Sequence, residues 1–393
     1  VKTILLSAGD LSGERHVAEL VLALRERIPD LRFVGMGGAG MAAAGVELWV
    51  DQRQLAVGGL FEILGSLPRI LRAWRGMRLC LDETRPDLVI LVDSGGFNLP
   101  FARRIRRHSK AKVLYYVAPQ IWAWRPGRLR KLADRTDRIA VILPFESAFY
   151  SERGVEVDFV GHPAIDTRVA PVDDAARQQS VDLRKSLGIE PSASLLGIFP
   201  GSRRNELARH LPIQLDAFSW LRRHEPGLQD LRAVIGLAPS LDPQEARRII
   251  AARIASTSGV VDLVVEAPGA VLDACDVALV KPGTITVELL LRRKPMVVVG
   301  RVHSLSAAIA RRMVRVEWLA MPNLIANREI VPEFYQQEAQ PDRIAAALAP
   351  LFRAEGRECQ IQALDRIRPL LGQPGVANRV AAIVEEMLGT FSA

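Results

Sequence analysis

Short apolar runs separated by longer stretches of helical periodicity set the rhythm of the first half of the chain. The runs at Thr3–Leu6, Arg32–Val34, Leu88–Val92, Lys112–Tyr116, Arg138–Leu143 and Val157–Val160 read as strands. Helical patterns such as Gly13–Arg27 and Asn98–His108 lie between them. Strand and helix in alternation predict a parallel sheet with crossover helices. From Pro163 to about Ser192 the chain is polar and the strand signal stops. It returns at Leu195–Phe199, Arg232–Ile235, Asp262–Val265, Val277–Val280 and Pro295–Val299. The pattern therefore predicts two doubly wound, Rossmann-like α/β domains facing a cleft. The expected boundaries are 1–165, a linker at 166–192, a second domain at 193–352 and a helical segment at 353–393. Ligand loops of such domains lie at the C-terminal ends of their strands.

Several of those strand ends carry candidate chemistry. The first runs Ser7-Ala8-Gly9-Asp10-Leu11-Ser12-Gly13-Glu14, small residues that allow a ligand near a helix start, or an ordinary capped turn. Asp93 closes the run Leu88–Val92 and precedes Ser94-Gly95-Gly96-Phe97-Asn98. It reads either as a general base or as a cap of the following helix. In the second half, Pro200-Gly201-Ser202-Arg203 places donors and a permanent charge at a helix start, which suits a diphosphate. Lys281-Pro282-Gly283-Thr284 repeats the device, with Glu288 one turn further on for ribose hydroxyls. Gly35-Met36-Gly37-Gly38-Ala39-Gly40 matches the dinucleotide fingerprint in letters only. About six residues separate it from the next strand, too few for the crossover helix that a true fingerprint opens.

Composition narrows the partners. With 49% hydrophobic and 24% charged residues the chain is globular, not disordered. Three scattered cysteines make neither a disulfide framework nor a metal site, and a reducing compartment is expected. The net charge of +8 asks for an anionic partner. Twelve Lys or Arg against two Asp lie within Arg103–Arg138, beside the aromatic loop Tyr115–Trp124. That patch suits phosphate, an anionic lipid surface or nucleic acid. No apolar run approaches the roughly 20 residues of a spanning helix, and no signal-peptide cleavage pattern precedes the first strand, so at most peripheral membrane contact is expected. The helical-spaced Leu60, Ile63, Leu64, Leu67, Leu71 and Trp74, followed by arginines, read as an interfacial helix or as a core-facing one. Gly65 and Pro68 predict two short pieces with a kink there. Metal-ligand spacings do not occur, and neither a metal nor a cofactor is expected.

The motifs in this order resemble the lipid A disaccharide synthase family, glycosyltransferases of the GT-B architecture. The resemblance rests on Ala56–Leu64, Val117–Arg128, Leu143–Tyr150, Phe159–Pro163, Pro200–Glu206 and Met321–Glu333, and covers Ser7 to about Phe352. It implies an inverting transfer that joins UDP-2,3-diacylglucosamine to 2,3-diacylglucosamine 1-phosphate (lipid X) and releases UDP. It also implies a cytoplasmic enzyme at the inner face of an anionic membrane, with a homodimer allowed and no nucleic-acid partner. The family's essential aspartate falls on Asp93 and its essential arginine on Arg203. Gly201, Ser202, Gly283, Thr284, Glu288 and Asn323 fall on the nucleotide side. Asp10, Ser12, Glu14, Asn98, Gln120 and Trp122 fall on the acceptor side. The family's first turn carries its two acids in the opposite order to Asp10 and Glu14, and Ser94-Gly95 also departs from the family pattern. Another UDP-N-acetylglucosamine user, like the peptidoglycan lipid II transferase or the 2-epimerase, stays open as an alternative, as does a basic nucleic-acid-binding protein.

Overall fold

The structure, a computed structural model, describes all residues except 56–59, 125, 167–173, 191, 255–260, 266–267, 303–315 and 390–393. The side chains of 60–66, 124, 126, 174–177, 253–254 and 261–265 also lie outside the description. The chain divides into two units, Val1–Asp166 with Leu371–Ala393, and Thr167–Arg312 with Val316–Leu370.

In the first unit the apolar runs form β1 (Lys2–Ala8), β2 (Leu31–Gly37), β3 (Glu47–Asp51), β4 (Leu88–Val92), β5 (Lys112–Tyr116), β6 (Arg138–Val141) and β7 (Asp158–Phe159). All pair in parallel, in the order β3-β2-β1-β4-β5-β6-β7. Both faces are covered by helices, so β4 is buried at every residue and needs no polar alternation. The second unit repeats the plan with β8 (Leu195–Phe199), β9 (Arg232–Gly236), β10 (Val261–Val265), β11 (Val277–Val280), β12 (Met296–Gly300) and β13 (Glu333–Tyr335). Its order is β10-β9-β8-β11-β12-β13. In each sheet the chain reverses its direction of travel beside the first strand, between β1 and β4 and between β8 and β11. Crevices for ligands open at such switch points.

One expectation changes, and the segments between and after the two sheets gain detail. The stretch around Pro68 is one continuous helix, Leu60–Thr84, not two kinked pieces. Ala73, Met77, Cys80 and Leu81 bury its C-terminal half in the core, and that packing carries the helix through one missing N–H. The segment 166–192 contains a helix, Asp174–Ser186, whose Arg184 reaches Asp276 (2.8 Å) and the Ala274 carbonyl (3.0 Å) of the second unit. The segment 353–393 is shared between the units. The helix Ala354–Ile367 stays with the second, while Val376–Leu388 packs on the helix Leu11–Arg27 of the first. Arg27 and Glu385 pair across that contact at 2.9 and 2.5 Å, and Asp166 receives the Gly375 and Ala377 N–H groups at the helix start.

Candidate active site

At the first switch point the register places Ala8 beside Val92, so the turns that follow β1 and β4 are neighbours. A Cβ on Gly9 would clash with the Ser94 hydroxyl, which shows how closely they approach. Asp93 and Ser94 hold φ of +43° and +42°, and Val117, at the end of β5, holds +56°. A β-branched residue in that region is strained, and strain of this kind persists only where the surroundings enforce it. Here they do. The Asp93 N–H donates to Val117 O at 3.1 Å. Its carbonyl accepts from the Tyr115 hydroxyl (2.6 Å) and the Asn98 amide (3.1 Å). Asn98, fully buried, also donates to Val92 O (2.9 Å) and accepts from the Ser7 hydroxyl (2.7 Å). The partly buried Asp93 carboxylate therefore stands on a backbone fixed from the end of β5 and from the helix that follows Asp93. The residue at the helix's capping position is Ser94, not Asp93.

The other acceptor-side residues separate. Asp10 caps the Leu11–Arg27 helix through the Gly13 N–H (2.7 Å), and Ser12 is half-buried on its first turn. Glu14 is buried and accepts from the Gly40 N–H (2.6 Å) and the Gln52 amide. That carboxylate accounts for the fingerprint-like glycines: their short helix, Ala39–Ala43, binds Glu14 where a dinucleotide would place its pyrophosphate. Gln120 is exposed. Trp122 is buried, stacks edge-on against Phe145 (4.8 Å between ring centres) and donates from its indole N–H to Glu146 (3.1 Å).

Glu146 escaped the sequence analysis. It lies within the Leu143–Tyr150 motif, but an acid near a helix start reads as a surface cap. It is buried and accepts from the Ile142 (3.1 Å) and Leu143 (2.9 Å) N–H groups. Burial pushes its carboxyl up to about 7 against those hydrogen bonds, and the Asp93 charge adds to the rise.

At the second switch point Phe199 pairs with Val280, which sets the Pro200 and Lys281 turns side by side. Gly201 and Gly283 hold φ of +122° and +146°, conformations other residues avoid. The turns are joined by Glu206, also missed from sequence. It accepts from the Ser202 N–H (2.9 Å) and Lys281 Nζ (3.1 Å), and lies 3.7 Å from the Arg203 guanidinium. Burial opposes its ionisation, but Lys281, the Ser202 N–H and Arg203 outweigh burial and lower its pKa. An anion is thus already favoured on this turn. Arg203, half-exposed, precedes the 21-residue helix Arg204–His224, whose N-terminal end adds positive potential. Thr284 precedes the helix Ile285–Leu291, and the Glu288 carboxylate in its first turn lies 3.3 Å from Arg292.

Asn323 lies before β13. It is fully buried, donates to Val331 O (2.8 Å) and Glu333 (2.7 Å), and accepts from the Ile330 and Val331 N–H groups (2.7 and 2.9 Å). Its amide holds the loop that leads into β13. It is already occupied within the protein.

Of the apolar helix face, the side chains of Leu60, Ile63 and Leu64 lie outside the described residues. Leu67 and Leu71 are 48% and 47% exposed. Trp74, three residues on, is half-buried against Phe97 (5.5 Å) and Phe101 (5.8 Å). Among the described residues no helix is long and apolar enough to cross a membrane, and no group of three His, Cys, Asp or Glu could hold a metal.

Residues 4–387 match the family model described as lipid-A-disaccharide synthetase. The chain is 42% identical over 388 residues to the lipid-A-disaccharide synthase of Myxococcus xanthus, covering 98% of this chain and 97% of that protein. Among solved structures it is similar to a UDP-GlcNAc 2-epimerase from Neisseria meningitidis bound to UDP-GlcNAc (TM-score 0.65, 13% identity, 98% and 99% of the two chains). It is also similar to the calicheamicin glycosyltransferase CalG4 (TM-score 0.57, 16% identity, 100% and 99%). At those identities the likeness speaks for the two-sheet GT-B architecture alone.

Proposed function

The chain belongs to the lipid-A-disaccharide synthetase family and acts as a glycosyltransferase in lipid A disaccharide synthesis, and from that premise we propose which substrates it joins and which residues act on them. The donor is UDP-2,3-diacylglucosamine and the acceptor 2,3-diacylglucosamine 1-phosphate. The acceptor 6-hydroxyl attacks C1 of the donor as the C1–O bond to UDP breaks. Its proton passes to the Asp93 carboxylate, and in-line attack inverts the α-linked donor to a β-1,6 product. The observation that carries the assignment is Asp93 itself: a carboxylate at a switch point, on a backbone clamped by Val117, Tyr115 and Asn98. Arg203 and the Gly201–Ser202 turn stabilise charge developing on the departing diphosphate, an effect worth typically about 3–4 kcal/mol per well-placed donor. Gly283, Thr284 and Glu288 hold the uridine ribose, and Asn323 positions the neighbouring loop.

The acylated substrates are met at the cytoplasmic face of an anionic membrane. Support comes from the half-exposed Leu67 and Leu71 beside the exposed Arg69, Arg72, Arg75 and Arg78, since such a face suits the headgroup boundary. Incubating the protein with donor and acceptor should yield disaccharide 1-phosphate and UDP. Asp93→Asn should lower turnover by the 10²–10⁴ typical of a lost general base while UDP affinity stays within about twofold. Retention of more than about a tenth of wild-type turnover would place the base elsewhere.

A further inference from the structure

Beside the Asp93 turn, and within the first unit, lies a cavity of about 510 Å³. Six arginine and lysine side chains line it, among them Arg103, Arg107, Lys131 and Arg135, and no Asp or Glu does. Like charges are crowded: after burial, Arg103 and then Arg107 depress the Arg135 guanidinium, against the pull of Asp134. Arg135 is held in place by the Leu99 carbonyl (2.8 Å). Arg104 pairs with Asp82 at 3.1 Å, whereas none of Arg103, Arg107 and Lys131 has a carboxylate partner among the described residues. Concentrating that much positive charge in a concavity is unfavourable unless an anion enters it.

The rest of the wall says where the anion sits. One end is Gly95 and Gly96, the first residues of the 14-residue helix Gly95–His108. Ser94 O takes the Phe97 and Asn98 N–H groups, and Gly95 and Gly96, ahead of them on the helix, line the cavity. Gly95 is two residues from Asp93. The cavity also has apolar lining, Trp74 and Leu99. Trp74 continues the face of Leu67 and Leu71 at i, i+4 and i+7. An anion attached to a sugar at Asp93 and to apolar chains along that face would match all three walls.

We propose that this cavity binds the phosphomonoester of the acceptor sugar and thereby makes the enzyme selective for a phosphorylated acceptor. The proposal rests on the acceptor reading above. The test is the triple variant Arg103→Gln, Arg107→Gln, Lys131→Gln, assayed in neutral detergent micelles with 2,3-diacylglucosamine 1-phosphate and with the same acceptor lacking phosphate. Charge-assisted hydrogen bonds predict a wild-type preference in kcat/KM of at least about 10-fold for the phosphorylated acceptor, falling to about threefold or less in the variant. Donor KM and melting temperature should stay put, and the matching Arg→Lys substitutions should keep the preference. A preference unchanged in the triple variant would overturn the proposal. So would an effect of the variant that appears only when anionic phospholipid is added, which would assign these charges to membrane headgroups. If wild type makes no disaccharide from either acceptor, the functional reading fails instead, and calorimetry judges the cavity alone. Glucosamine 1-phosphate should bind wild type and not the triple variant, glucosamine should bind neither, and no binding of the phosphate to wild type would refute the site.

Discussion

Replacing Glu146 by Gln removes a buried titratable group while keeping its shape, and the structure specifies how the pH dependence of stability should respond. The Glu146 carboxyl is pushed from 4.5 to about 7, chiefly by burial. The folded protein therefore holds the proton more tightly than the unfolded chain does. Its stabilising contribution is complete below pH 4.5, fades as pH rises, and is gone above about pH 7. The gap corresponds to about 3 kcal/mol. Two buried histidines act with the opposite sign. Burial lowers His16 from 6.5 to about 4, with Arg15 adding to it, and lowers His162 to about 3, with His16 adding to it. Their contributions are present above pH 6.5 and are lost as the pH falls. Both proteins keep these histidines, so their effect cancels in the difference between wild type and Glu146→Gln. The variant also leaves the Trp122 indole N–H facing an amide donor, a pH-independent penalty of about 1–3 kcal/mol. Only the slope of the difference is diagnostic. Between pH 5 and 8 the melting temperature of wild type relative to the variant should fall by about 6–12 °C, taking about 2–4 °C per kcal/mol for a unit of this size. Parallel curves for the two proteins would show that Glu146 is ionised in the fold, and the burial argument would fail.

Other perturbations test the two switch points and the helix face. Arg203→Ala should weaken UDP binding in calorimetry by about 10- to 100-fold and lower turnover as well, because a charge paired with phosphate acts in both ground and transition states; unchanged values would make Arg203 a solvated surface residue. Asn98→Leu leaves the Ser7 hydroxyl and the Val92 carbonyl without their partner, so chemical denaturation should report a loss of about 2–6 kcal/mol, with turnover falling as Asp93 loses its support; an undiminished midpoint would show that the network is dispensable. Leu67→Ser with Leu71→Ser should reduce binding to anionic vesicles and raise the apparent KM for acylated substrates, with stability lowered by only about 1–2 kcal/mol in all, since both leucines are near half exposure. A large drop in melting temperature would mean that these leucines are core.

Local pattern determined a great deal of this protein. The strands β1, β4, β5, β8 and β11 lie where apolar runs placed them, because a strand buried on both faces is apolar along nearly all of its buried length, and that requirement is written into the local sequence. The turns that carry Asp93, Gly201 and Gly283 were legible for a related reason, since glycine, proline and polar residues interrupt those runs. β13 was not legible: three residues with no alternation become a strand only because β12 offers an unpaired edge. Tertiary structure alone decided which turns meet, since the strand order sets Ala8 against Val92 and Phe199 against Val280 across long stretches of chain. It also decided the fate of single polar residues. Glu14 binds the short glycine helix whose letters match a dinucleotide fingerprint, Asn323 closes a loop, and Glu146 is held in the interior against Trp122. Periodicity reports whether a position faces water or core on its own element. Desolvation and hydrogen-bond partnership depend on which distant element packs there, and for Glu14, Asn323 and Glu146 those terms set the role.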